Sequence, residues 1–197
     1  MNMFGEQVQS TRAAQKRRTA TRIVEAAAQL FAEHGFQSTT VRQIAAEAGV
    51  SVGAVMAVGD KESLLGLVYD QAIADRIPAP PEPGEATAVD YLAHYFDPFL
   101  ALFAENDDLA RAYFRTLARG RPGNAALGAL RALTENNLMA SMVDAGMPEE
   151  RARVGAQVMF AGYLGELMLL AAGSTDHQQT AARLRTTAAF VTAQEGN

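Results

Sequence analysis

Between Thr21 and Leu65 the chain carries helix starts and stops set so closely that only short helices in a fixed order satisfy them, and no other stretch limits the fold as much. Ile23, Ala26, Ala27, Leu30 and Phe31 recur at three- and four-residue steps, which gives one helix an apolar face while Glu25 and Glu33 occupy the other. Gly35 can take the left-handed conformation that ends it, and His34 falls in the last turn, where a ring meets free carbonyls rather than a metal. Thr40 and Gln43 have the spacing of a capping box and open a second helix whose stripe is Ile44, Ala45 and Ala48. Gly49 breaks it, Val50 plugs the corner, and Ser51 caps a third helix from Val52 to about Val58. Asp60 caps a fourth, running through Leu64, Leu65, Val68 and Ile73. Helix, glycine-containing turn and helix is the arrangement that lays its second member in the major groove of DNA. Lys61 stands at a helix start, where the dipole favours anions, so a DNA phosphate using its charge and the free N–H groups together is the economical expectation.

These residues resemble the TetR family of one-component transcriptional repressors. The resemblance is carried by Leu30-Phe31 with Gly35, Thr39-Thr40, the run Ile44-Ala45-Ala46-Glu47-Ala48-Gly49-Val50-Ser51-Val52-Gly53, and Lys61-Glu62-Ser63-Leu64-Leu65. It implies an all-α protein, with an amino-terminal three-helix helix-turn-helix head and a carboxy-terminal helical domain for ligand binding and dimerisation. It also implies that Thr40, Ser51 and Lys61 contact phosphates, while Arg42, Val52, Ala54 and Ala57 fall where the family reads base edges. Gln43 and Met56 join them as DNA-binding candidates on the same two helices. Arg42 is the chemically strongest reader, because a guanidinium can grip guanine O6 and N7 together.

The chain also departs from the family pattern. Ala54-Val55-Met56-Ala57-Val58 replaces the usual Thr-Leu-Tyr-His-aromatic-Phe, and the span from Gly53 to Lys61 is one residue short. Such a helix touches thymine methyls but offers few hydrogen bonds, so readout leans on Arg42, Gln43, backbone groups and DNA shape.

The net charge of −5 hides an asymmetry that suits this reading. Residues 1–61 carry +2 and the remainder −7, a mildly basic head on an acidic body. Arg12, Lys16, Arg17 and Arg18 form the densest basic cluster, within a stretch, 1–18, read as a flexible arm that is either a solvated leader or a reach towards phosphates. Residues 19–77 form the head and its connecting helix. Four prolines in Ile77–Gly84 make 78–84 a semi-rigid linker, and 85–197 the body. The absence of cysteine excludes disulfides and thiol catalysis. No apolar run reads as long enough to span a membrane, and a cytoplasmic protein is expected.

Body helices are placed at about 85–105, 107–119, 124–144, 148–172 and 176–193, the first of them kinked at Asp97-Pro98, with Thr175 and Gln178 as a capping box on the last. Gly155, Gly162 and Gly165 share one helix, although each costs about 1 kcal/mol there relative to alanine. Close helix approach supplies the reason, either within one subunit or, as the family resemblance implies, across a homodimer. Tyr91, Phe99, Phe103, Tyr113, Phe114, Met139, Met142, Met159 and Tyr163 are candidates to line a pocket for a small apolar or aromatic effector. His34, His94 and His177 are scattered without metal-ligand spacing, and no catalytic fingerprint is present, so neither cofactor, metal nor catalysis is expected. The reading is a dimeric regulator, a repressor released from a palindromic double-stranded operator by its effector. The other reading is a helical ligand-binding or protein-interaction dimer whose head no longer reads DNA.

Overall fold

A computed structural model describes residues 3–79, 87–118 and 124–193. Among the described residues there are ten helices and no strand: α1 (Met3–His34), α2 (Val41–Glu47), α3 (Val52–Val58), α4 (Lys61–Ala74), α5 (Ala88–His94), α6 (Asp97–Ala104), α7 (Asp107–Ala118), α8 (Asn124–Asp144), α9 (Glu149–Ala171) and α10 (His177–Thr192).

The head is built as its punctuation dictates. Gly35 has φ +79° and its N–H reaches Phe31 O at 3.0 Å, closing α1. Thr40 and Gln43 form the full capping box on α2. Gly49 at φ +62° turns the chain, and Val50 N–H returns to Ala45 O at 2.9 Å. Ser51 then accepts from Ala54 N–H at 3.1 Å, and Asp60 accepts from Ser63 N–H at 2.8 Å. Ile23, Ala27, Phe31, Ile44, Val55, Leu64 and Leu65 meet in a core with no exposure at all. At about 3–5 kcal/mol for truncating a buried Phe, Phe31 alone makes that core costly to open.

Residues 3–18 are not a separate arm. They form the amino-terminal half of α1, because Ala13-Ala14-Gln15-Lys16-Arg17-Arg18 are strong helix formers and no proline interrupts them. Arg12, Lys16, Arg17 and Arg18 are all exposed on it. Of the expected linker, only Pro78 and Ala79 lie within the described residues.

In the body, Asp97-Pro98 separates α5 from α6 as proline chemistry requires. The cap of α10 is Asp176, which accepts from Gln179 N–H at 2.8 Å, rather than Thr175, whose hydroxyl instead reaches the Gln179 side chain. α9 lies between α8 and α10, and α4 packs on α6, α7 and α8, so one apolar core continues from head to body. Contrary to the sequence reading, α9 is long and apolar enough to cross a membrane by length and composition. Its Ala152, Ala156, Met159, Phe160, Tyr163 and Leu167 are buried against the protein itself, the usage of a core helix.

Candidate nucleic-acid interface and body cavity

α2 and α3 are inclined at 106°, within the range of about 90–120° for a helix-turn-helix pair. Their geometry sorts the candidate residues. Thr40, Arg42, Gln43, Ser51, Val52, Met56 and Ala57 are exposed, and Ala54 is half-buried. Val55 alone of α3 is buried, and it anchors the helix to the head. Arg42 takes part in no hydrogen bond or ion pair among the described residues, whereas Gln43 Oε1 accepts from the Thr40 N–H and hydroxyl, each at 2.8 Å. Val52 and Met56 are 43% and 52% exposed, so α3 offers a groove methyl and thioether surface without a side-chain hydrogen-bond donor.

Lys61 is placed differently from the expectation. Its ammonium donates to Phe36 O at 2.8 Å and Gln37 O at 3.3 Å and stands 4.4 Å from the centre of the Phe36 ring. The lysine at a helix start is therefore explained by the carbonyls of the α1–α2 loop, without a phosphate. Two supports went unread in the sequence. The buried Thr39 hydroxyl contacts Leu30 O at 3.1 Å and Gly35 O at 2.9 Å, bracing the same loop. Arg22 donates to Ala48 O and so ties α1 to the end of α2. Neither contact has a local spacing signal, since the partners are nine and twenty-six residues apart.

In the body, an apolar cavity of about 320 Å³ opens between α4, α7, α8 and α9. Of the candidate pocket residues it takes Phe103, Tyr113, Phe114 and Tyr163, joined by Ile73, Leu130 and Met168. The other candidates are elsewhere. Met142 and Met159 are wholly buried, and Met142 also edges a separate opening beside Gly146 and Arg151. Met139 packs on the core, Phe99 sits in the Tyr95–Phe96 ring cluster, and the Tyr91 hydroxyl donates to Pro78 O at 3.4 Å. Aromatic content marked the body; only the tertiary packing decides which rings face a void. The ring planes of Tyr69 and Tyr113 stack at 4.4 Å, and burial pushes both phenols up. Burial likewise raises the Asp70 carboxyl, opposed by its hydrogen bond with Tyr113.

The three glycines of α9 also divide. Gly155 is an intramolecular contact, not an interface residue: an added Cβ would stand 2.6 Å from Val191 Cγ1 and 3.1 Å from Met142 Sδ. A Cβ on Gly162 would touch Thr187 at an ordinary 3.9 Å, and Gly165 faces open space. Among the described residues no group of three or more His, Cys, Asp or Glu could hold a metal.

Residues 23–57 match the family described as "Bacterial regulatory proteins, tetR family". No curated protein matches the chain significantly. Solved structures similar to it include a TetR transcriptional regulator from Rhodococcus sp. RHA1, 18% identical over 89% of this chain and 95% of that one, with a TM-score of 0.69. Another is Thermus thermophilus FadR, a TetR-family transcriptional repressor solved with lauroyl-CoA, 23% identical over 90% of this chain and 97% of that one, TM-score 0.69. A third, Salmonella enterica GusR, is 25% identical over 88% of this chain and 95% of that one, TM-score 0.55. Through its head the chain belongs to the tetR family of bacterial regulatory proteins, and it has the fold of the family's solved members over most of its length.

Proposed function

We propose that the protein is a dimeric transcriptional repressor that holds a palindromic double-stranded operator through Arg42 and the α3 surface and is released by a small, largely apolar effector. The observation that carries this reading is the position of Ile73: it lines the body cavity and lies on α4, the helix that also closes the core of the head. A molecule in the cavity therefore touches the element on which the head is mounted. It lowers DNA affinity only if it prefers the arrangement of α4 that DNA does not, since equal affinity for both shifts nothing.

Dimerisation is supported by an exposed apolar stripe along α9, Val154, Val158, Ala161, Gly165 and Leu169, next to an α10 on which Phe190 is 80% exposed. Two heads on a twofold axis read two half-sites, which is why the operator is palindromic. A regulator of this kind acts in the cytoplasm. The reading in which the head no longer binds DNA draws on the lack of hydrogen-bonding side chains on α3. A gel shift at several salt concentrations, on the DNA flanking the coding region, separates the two. Specific, salt-dependent retardation relieved by hydrophobic compounds supports the repressor; binding no tighter than to unrelated duplex at every salt concentration refutes it.

A further inference from the structure

Asp70 is a carboxylate in an otherwise apolar setting. It lies on α4 and, with Ile77 and Leu133, lines a second cavity of about 250 Å³ between α4 and α8. Ile73 and Leu130 belong to the walls of both cavities. The Asp70 side chain hydrogen-bonds Tyr113, whose ring lines the first cavity. The carboxylate thus stands where the two spaces adjoin. Among the described residues it has no ion-pair partner. Arg76, just beyond α4, is paired with Glu105 at 3.4 Å.

An uncompensated, partly desolvated carboxylate is costly, and one hydrogen bond from a phenol satisfies only part of its accepting capacity. A fold that needed only a partner for Tyr113 could use an amide there at lower cost. A cation entering the slot instead gains the unmatched charge and the faces of Phe103, Phe114 and Tyr163, which attract ammonium groups. An anionic head group would meet like charge in a low dielectric.

We propose that the joined cavities take an organic cation, an amine or quaternary ammonium with an apolar body, whose nitrogen sits at Asp70. This deepens the effector reading above and rests on it.

The experiment uses three probes with one tail: decyltrimethylammonium, decanol and decanoate, titrated calorimetrically into the full-length protein below their micellar concentrations. The expected order is cation, alcohol, carboxylate, with the cation about tenfold tighter than the alcohol. Asp70→Asn, which keeps an acceptor for Tyr113, should remove that preference and leave decanol within about twofold, because only the charge term is lost. If Asp70→Asn does not fold, as judged by circular dichroism, Asp70→Ser takes its place, and the wild-type order alone can still refute the proposal. Equal binding of all three probes, or a cation preference that survives in the variant, overturns the role of Asp70 while leaving an apolar effector site intact. No binding of any probe overturns the cavity as a ligand site, and the sensor reading with it.

Discussion

Replacing Lys61 by methionine distinguishes a brace from a DNA contact, because the two roles leave opposite signatures. The substitution keeps the apolar stem over Phe36 and removes the ammonium. Lost with it are a charged hydrogen bond at 2.8 Å to Phe36 O, a weaker one at 3.3 Å to Gln37 O, and a cation–ring contact at 4.4 Å. A charge-assisted bond contributes about 1.5–3 kcal/mol, to be taken at the low end here because the group is partly exposed. The ring contact adds about 0.5–1 kcal/mol at such a site. Against these, a cation leaves the positive end of α4, which returns roughly 0.3–1 kcal/mol. The net loss is about 1–2 kcal/mol, or some 2–8 °C in the thermal midpoint of a chain this size. Denaturant unfolding measures it, with duplex affinity read in parallel at several salt concentrations. A brace loses stability and keeps its salt slope. An unchanged midpoint with a slope shallower by about one unit would show that the ammonium faces a phosphate, and would refute the argument from its carbonyl partners.

The glycines give a second contrast in stability. Gly155→Ala should destabilise by about 1–2 kcal/mol, since its methyl meets Val191 and Met142, while Gly66→Ala on α4, with nothing within 4 Å, should stabilise by up to about 1 kcal/mol; equal effects in thermal melts would contradict the packing. Arg42→Ala should cost about 1–3 kcal/mol of operator affinity and relax one base position, and a base-by-base competition series that remains unchanged would remove Arg42 from the readers. Phe190→Glu should halve the sedimenting mass if the exposed α10 face is covered by a second copy, and an undiminished dimer would move the interface elsewhere.

What could be read from the sequence was local. Gly35, Gly49, Ser51 and Asp60 act within four residues of themselves, and each takes the role its chemistry implies. The misplacements share the opposite character. Lys61 reaches back twenty-five residues to Phe36 O, and Gly155 meets Val191 across a helix crossing. Met142 and Met159 are indistinguishable in spacing from residues that line a cavity, yet are wholly enclosed. A periodicity identifies the buried face of a helix but not whether the facing element fills or leaves the space beside it. The basic stretch before Thr19 failed for another reason: charge density suggested an arm, while nothing between Met3 and Arg18 stops a helix.

The brace at Lys61 bears on how a ligand in the body could be felt by the head. α4 is 14 residues long, about 21 Å at 1.5 Å per residue, with Asp70 and Ile73 near one end and Lys61 at the other. Leu64 and Leu65 are fully buried in the head core, so the amino-terminal turn of α4 cannot slide without disturbing close-packed contacts. Lys61 adds polar bonds to the loop that leads into α2, so a tilt of α4 is transmitted to the loop instead of being absorbed at the helix start. Tyr69 points the same way. It lies between the two ends and stacks on Tyr113 of α7 at 4.4 Å, so a displacement of Ile73 also loads a ring contact that prefers one offset geometry. On the proposed reading, the coupling between sites is the difference in ligand affinity between two positions of this one rod. Its size is bounded by how differently Asp70, Ile73 and Tyr113 meet the ligand in each position. A weakened brace would therefore lower the coupling without altering ligand affinity in the isolated body, since the ligand's own contacts lie at the opposite end of α4.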